Sequence, residues 1–320
     1  MSERPLVTVA MPVYNGERWL AAAIDSVRAQ SYRNLQIILS DNASTDATPE
    51  ICAAAARDDE RVEYVRHETQ LHVLQNFDFG RRRKRGRYFM WAADDDLREP
   101  EHIARLVEAL ETAPAATLAY SWTRMVGVDL NPIEVFEGYD ARIASADPVE
   151  RIKAFSLQHY RVPIYGLMPS AVLDATPPFS DRPDSDGEFL FRLVLRGPFI
   201  TVREPLFIYR LRHSHDDYEK VFKSHGGDRE LARGAMYRRL VRESALDPAT
   251  RRRAIAAIDE TVRPESDARF HWLVGELLRT YDRRAAALRA LATWTRQYPQ
   301  SLRSRFVWGA LRRIAMGRRS

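Results

Sequence analysis

The first hundred residues alternate short apolar runs with helical periods, and that alternation restricts the fold more than any other feature of the chain. Leu6–Met11, Leu35–Leu39, Val62–Val65 and Arg87–Trp91 are brief and predominantly apolar, as strands covered on both faces must be. Between them, Glu17–Gln30 sets Trp19, Leu20, Ala23, Ile24 and Val27 at helical spacing. Thr45–Glu50 opens a second helix with Pro49 in its first turn, and Pro100–Leu110 forms another. Strand and helix in alternation, with short connections, require a mainly parallel sheet flanked by helices. In such sheets ligands bind beyond the carboxyl ends of the strands. The chain puts Asp41-Asn42 at one such end and Asp94-Asp95-Asp96 at another.

The character changes after about residue 215. Residues 1–215 carry 26 basic and 31 acidic side chains, whereas residues 216–320 carry 23 and 13. The second segment alternates arginine with Leu, Ala and Ile in four runs: Arg229–Ala245, Pro248–Thr261, Asp267–Tyr281 and Arg283–Gln297. These read as consecutive helices punctuated by prolines. The expected organisation is therefore an α/β domain over residues 1–215 and a helical, basic extension over 216–320. A lone cysteine, Cys52, excludes a disulfide framework and a cysteine-held metal. No run reaches the roughly 18 apolar residues of a membrane span, and the N-terminus lacks the pattern of a secretory signal; the expected compartment is the cytoplasm. Arg81–Arg85 is a basic run that reads as a solvated helix face, with lipid or an acceptor phosphate as the other reading. Nucleic acid is not the expected partner, because the acidic first segment would repel it.

Two motifs carry chemistry. The first strand ends in Pro12-Val13-Tyr14-Asn15-Gly16-Glu17, with one glycine where a dinucleotide-binding turn needs three. The P-loop pattern is also absent, so a nucleotide would be held differently: Tyr14 against a base, Asp41 accepting the base's ring N–H. The competing reading is a plain strand-to-helix turn with Asn15 as N-cap. Asp94-Asp95-Asp96 follows the apolar Tyr88–Ala93. Three adjacent carboxylates repel one another, and a divalent cation relieves that cost. Hard oxygen ligands point to Mn2+ or Mg2+. The other reading is an acidic turn capping the helix after Pro100.

In order along the chain, these pieces resemble glycosyltransferase family 2, the inverting group with the GT-A fold. Val7–Asn15 resembles its opening strand and turn, and Asp41-Asn42-Ala43-Ser44-Thr45-Asp46 its second-strand motif. Asn76 and Gly86-Arg87-Tyr88 resemble the segment before the metal motif, and Asp94-Asp95-Asp96 that motif itself. Asp184–Glu188 with Arg192-Leu193 resembles the segment bearing the catalytic base, and Pro205–Arg210 the closing strand. The resemblance covers roughly residues 5–215. It implies that Pro12, Tyr14 and Glu17 line a nucleoside pocket, that Asp41 binds the base, and that Asn76 belongs to the donor site. It implies that Asp94 and Asp96 bracket a metal, with Asp96 the direct ligand and Asp95 on donor or metal. Asp186 would be the general base, and His213 would lie near the donor phosphates.

The chain departs from the family at Ala93, where many members carry aspartate, and at Ser185, where the base segment usually has glutamate. Asp184 and Glu188 are rival bases by position. The expected activity is metal-dependent, inverting transfer of a sugar from a nucleotide-diphosphate donor, UDP before dTDP and GDP, to a glycan or lipid-linked acceptor. A nucleotidyltransferase and an inactive sugar-nucleotide binding module are the alternatives. Ser301–Ser320 holds six arginines and no acidic side chain. On a helical period it gathers Leu302, Phe306, Val307, Ala310, Leu311 and Ile314 on one side, and is expected to lie on an anionic membrane surface.

Overall fold

The computed structural model describes residues 4–158, 160–182, 184–211 and 226–261. Its first half is the predicted alternation: β1 (Val7–Val13), α1 (Leu20–Arg28), β2 (Leu35–Asp41), α2 (Thr48–Asp58), β3 (Val62–Arg66), α3 (Val73–Arg83), β4 (Tyr88–Trp91). The main sheet has the order β3-β2-β1-β4-β8, where β8 is Met168–Pro169. The first four strands are parallel, with Val13 level with Asp41 and Ala10 with Trp91. The chain walks outward from β1 to β3 and then returns to the other side of β1 as β4. That reversal opens a crevice at the carboxyl ends of β1 and β4, the usual place for a ligand in such a sheet.

Alternate residues of the central strands feed two separate cores. Val7, Val9, Met11, Ile37, Leu39 and Met90 pack with α1, α2 and α4 (His102–Thr112). Ala10, Ile38, Phe89 and Trp91 face the opposite layer, which includes α5 (Pro148–Ser156) and α7 (Ser185–Arg196). Burial on both faces is why these strands read as continuous apolar runs.

A second sheet has the order β5-β9-β6-β7. It comprises β5 (Leu97–Arg98), β6 (Leu118–Val126), β7 (Pro132–Phe136) and β9 (Phe199–Arg210). β5 begins one residue after the aspartate run and pairs antiparallel with β9, Leu97 level with Ile208. The acidic loop is thereby pinned between the end of β4 and the end of β9.

Two of the four helices expected after residue 216 fall within the described residues: α8 (Gly226–Glu243) and a helix over 248–261. Tyr237, Leu240, Val241, Ala254, Ala257 and Ile258 belong to the same buried cluster as Trp91, Phe155 and Phe191. The runs Asp267–Tyr281, Arg283–Gln297 and Ser301–Ser320 lie outside the described residues. Among the described residues no helix is long and apolar enough to cross a membrane.

The basic run ends α3 and is held by protein partners rather than by water alone. Arg81 donates to the carbonyls of Leu173 and Thr176 (3.0 and 2.7 Å) at the end of α6 (Ser170–Asp174). Arg82 pairs with Asp78, Arg83 and Arg85 with Glu63, and Lys84 with Asp174. Its density of charge is an element-to-element brace.

Candidate active site

The β1–α1 turn and the β2–α2 loop are stitched together backbone to side chain. Asn15 N–H donates to Ser44 Oγ (3.0 Å), Gly16 N–H to Thr48 Oγ1 (2.9 Å) and Glu17 N–H to Asp46 Oδ2 (3.1 Å). In return Asn15 Oδ1 accepts from Thr45 N–H, and Glu17 Oε2 from Ala47 N–H at the start of α2. Asn15 does not cap α1: it sits in the left-handed region at φ 50°, the helix starts at Leu20, and Trp19 occupies the N-cap. The N-cap reading fails because the Asn15 side chain serves the neighbouring loop. Tyr14 is left 45% exposed, a ring available to an incoming base. Pro12, half-buried, precedes it in the strand.

Asp41 lies at the end of β2 with no exposed surface. Its Oδ1 accepts from Ser44 N–H (2.9 Å), and its Oδ2 from Tyr64 O–H (3.0 Å), with Arg66 Nε at 3.5 Å. A base reaching this carboxylate would have to share it with Tyr64 or Arg66. Asn76, on α3, is also buried. Its amide bridges the ends of two strands: Nδ2 donates to Ser40 O of β2 (3.1 Å) and to Val13 O of β1 (3.5 Å), and Oδ1 accepts from Ser40 Oγ. Its place is beneath the crevice, as a clamp on β2.

The acidic run fills the crevice itself. Asp94 packs directly on Gly16: a β-carbon on that glycine would stand 2.7 Å from Asp94 Oδ2. Only glycine lets the β1 turn and the β4 loop approach this closely. Asp95 and Asp96 are 7% and 0% exposed. Asp96 Oδ1 accepts from Arg210 N–H (2.8 Å), while Asp96 Oδ2 is buried without a hydrogen-bond partner. Burial, then the neighbouring Asp95 charge, pushes the Asp96 carboxyl up to about 8. An orphaned buried carboxylate oxygen that follows two further aspartates suits a divalent cation. Among the described residues no three His, Cys, Asp or Glu side chains form a metal cage. An ion here would therefore complete its shell with donor phosphate and water.

Arg210 organises this loop and was not singled out from the sequence. Besides the bond from its N–H, its Nε donates to Asp95 O (2.9 Å) and its Nη1 to Val128 O (2.6 Å), with the guanidinium 5.4 Å from the Trp19 ring. Arg98, wholly enclosed beside Asp96, lies over Phe207 at 5.0 Å. Burial draws its pKa down to about 10, and the Asp96 charge opposes the shift.

Asp186 enters from another direction, in the first turn of α7. It is half-buried, and its Oδ1 accepts from Gly187 N–H (2.8 Å). Burial first, then the charge of Asp184, raises its pKa above the usual carboxylate value, while Arg161 partly offsets the shift. The rival carboxylates are otherwise engaged. Asp184 faces Arg161 at 3.3 Å. Glu188 accepts from Ser180, Arg192 and Arg239 (2.8, 2.8 and 2.9 Å), bonds that hold its pKa low against the effect of burial.

Tyr165 lies on the 3-10 turn Val162–Tyr165. Burial raises its hydroxyl pKa, and the charges of Asp96, Asp95 and Asp186 all add to the shift. One phenol thus feels the charge of both the aspartate run and Asp186. Sequence reading missed Tyr165 because a single turn of 3-10 helix has no periodicity. His213 lies outside the described residues.

Comparisons with known proteins bear on the family and the fold. The Glycosyl transferase family 2 model matches residues 8–135, the segment that holds both loops, the aspartate run and β6. Over those residues the chain is similar to glycosyltransferase family 2. The "Putative glycosyltransferase EpsE" of Bacillus subtilis is 31% identical over 155 residues, covering 48% of this chain and 53% of EpsE. The chain thus spans about half of EpsE, and 13% and 15% of two further relatives from Sinorhizobium fredii and Rickettsia bellii. Residues 1–349 of S. aureus TarS superpose with a TM-score of 0.61 at 14% identity, covering 85% of this chain and 80% of that one. A mannosyltransferase from Pyrobaculum calidifontis, solved with GDP-Man and Mn2+, gives 0.57 at 15% identity, covering 99% and 89%. At these identities the structures establish the fold, which is GT-A.

Proposed function

We propose that this protein transfers a sugar from a nucleoside-diphosphate donor to an acceptor hydroxyl with inversion of configuration. The observation that carries the reading is the single crevice at the ends of β1 and β4. An exposed tyrosine and a buried aspartate run with an orphaned oxygen lie at those ends, and Asp186 on α7, which forms no ion pair among the described residues, acts electrostatically on the same phenol, Tyr165, as that run.

The base would lie on Tyr14, with Pro12, Glu17 and Asp41 beneath it and Asn76 keeping the strand ends in place. Asp94 and Asp95 face the diphosphate side. Asp96, through Oδ2, would hold Mn2+ or Mg2+, with Asp95 the alternative ligand because it is less enclosed. A divalent ion bound there would neutralise the charge that develops on the departing diphosphate. Asp186 takes the proton from the acceptor hydroxyl, whose oxygen attacks the anomeric carbon as the bond to the diphosphate oxygen breaks. Attack from the face opposite the leaving group inverts the centre. His213 is proposed near the phosphates on sequence grounds alone.

UDP is the favoured donor nucleotide, ahead of dTDP and GDP, and a glycan or lipid-linked hydroxyl the favoured acceptor. An aspartate accepts the ring N–H of all three bases, so the preference among them rests on the family resemblance. UDP–sugar complexes of TarS and the GDP-Man complex of the Pyrobaculum enzyme are in keeping with a nucleotide-sugar donor. Release of nucleoside diphosphate from a panel of nucleotide sugars, with and without Mn2+, tests the reading.

The Arg-rich segment Ser301–Ser320 would bring this site to an anionic membrane, each nearby arginine contributing about 1 kcal/mol at low salt. The full-length chain is expected to co-sediment with anionic vesicles, and a chain ending at Gln300 to remain in solution. Equal binding of the two would remove the segment from this role.

A further inference from the structure

We propose that Tyr237 and Arg239, on α8, are positioning residues for Asp186, so that the helices after residue 225 are part of the catalytic unit. The proposal rests on the reading of Asp186 as the base. The carboxylates of α7's first turn divide the work. Asp186 forms no ion pair among the described residues, while Asp184 and Glu188, two residues to either side, are both paired with arginines.

Asp184 occupies the N-cap of α7 in the left-handed region, at φ 61°, and its side chain makes no capping bond to the helix. A non-glycine residue keeps that conformation only when its surroundings hold it. Here the holder is Arg161, whose Nε and Nη2 lie 3.3 and 3.5 Å from the two Asp184 oxygens. Gly187 leaves room for that carboxylate to fold over the first turn. Arg161 is itself fixed by Gln158 O (3.0 Å), by the face of Phe155 (5.1 Å) and by α8, where its Nη2 donates to Tyr237 O–H at 3.0 Å. The Tyr237 ring stacks on Phe191 of α7, centroids 4.1 Å apart and planes 9° apart. One helical turn away along α7, Arg239 donates to Glu188 Oε1 at 2.9 Å. α8 therefore grips α7 at residue 184 through Arg161, and directly at residues 188 and 191. A base must be held within roughly 0.5 Å of its working position, and a misplacement of about 1 Å costs up to about 10²-fold in rate.

The groups that face Asp186 are Asp184, Arg161 and the phenols of Tyr165 and Tyr237. The test compares wild type, Tyr237→Phe, Arg239→Met, Arg161→Met and Asp186→Asn. Each is scored for nucleotide binding by calorimetry, with UDP first and then whichever nucleotide the release assay selects. Donor KM, kcat and the acid limb of the pH profile complete the set. Tyr237→Phe keeps the ring stack and removes only the hydroxyl, so it is the variant least able to unfold α8. The expected result is a drop in kcat of about tenfold for Tyr237→Phe and for Arg239→Met, with nucleotide affinity and donor KM within twofold. Arg161→Met removes a positive charge beside Asp186, so its acid limb should move to higher pH. Wild-type kcat and pH profile in Tyr237→Phe and Arg239→Met, with Asp186→Asn inactive, would overturn the proposal. So would loss of nucleotide binding in step with kcat. An active Asp186→Asn would instead overturn the reading of the base.

Discussion

Asp186→Asn is expected to lower sugar transfer by about 10²–10⁴-fold while leaving nucleotide affinity within twofold of wild type. The asparagine keeps the size of the side chain and its acceptance of Gly187 N–H, but it cannot take a proton. In the proposed reading nucleotide binding rests on other elements, the ends of β1, β2 and β4, so the two readouts should separate. The wild-type pH profile gives a second test. Only ionised Asp186 is a base, so activity falls as pH drops through its pKa. Burial and Asp184 place that pKa above the ordinary carboxylate value, so the acid limb should stand correspondingly high. Near-native turnover in Asp186→Asn would pass the role to Asp184 or Glu188, both of which would first have to leave their arginines.

The second large effect concerns Asp96. Its carboxyl is pushed up to about 8 from an ordinary value of 3.8. The native state therefore retains a proton that the unfolded chain has already released. A raised native pKa contributes stability that is fully present below the unfolded value and is lost as pH rises through the native one. In chelator, thermal stability from this group should decline between about pH 4 and about pH 8. Asp96→Asn should flatten that decline and melt higher than wild type at pH 8, by on the order of several degrees. Mn2+ should raise the wild-type melting temperature more at pH 8 than at pH 5, because it offsets the ionised carboxylate, and should do nothing comparable for the variant. Donor-dependent activity should disappear in the variant. Full Mn2+-dependent activity in Asp96→Asn would move the metal to Asp95.

The elements that build the crevice were legible because each is local. β1, β2 and β4 announce themselves as short apolar runs, α1 by its spacing, and the aspartates by a charge density no ordinary turn needs. The helices Arg229–Ala245 and Pro248–Thr261 were likewise legible, and they appear as Gly226–Glu243 and 248–261. What escaped were the residues whose meaning depends on distant partners. Arg161 and Tyr237 are 76 positions apart, and Arg210 meets Asp96 across 114. Nothing in the local sequence of either pair signals the other. The basic run at 81–85 keeps the exposure of a solvated face at Arg82, Arg83 and Arg85, while the acceptors of its ion pairs with α6 and β3 are remote in sequence. One signal was present and unused. Arg98 stands two residues after the aspartates and is buried, and a cation so close to three acids is a natural counter-charge. Asp41 and Asn76 were picked out by motif, but only packing shows that the first is shared with Tyr64 and Arg66 and the second is a clamp.

The most direct test is release of nucleoside diphosphate by the purified chain from UDP-, dTDP- and GDP-sugars, in Mn2+ and in chelator, for wild type and Asp186→Asn side by side. The account predicts slow release from one nucleotide class, UDP first, that requires the divalent ion and is lost in the variant. Binding of a nucleotide sugar without release, under every condition and with added acceptor glycans, would contradict it and leave a sugar-nucleotide binding module in its place.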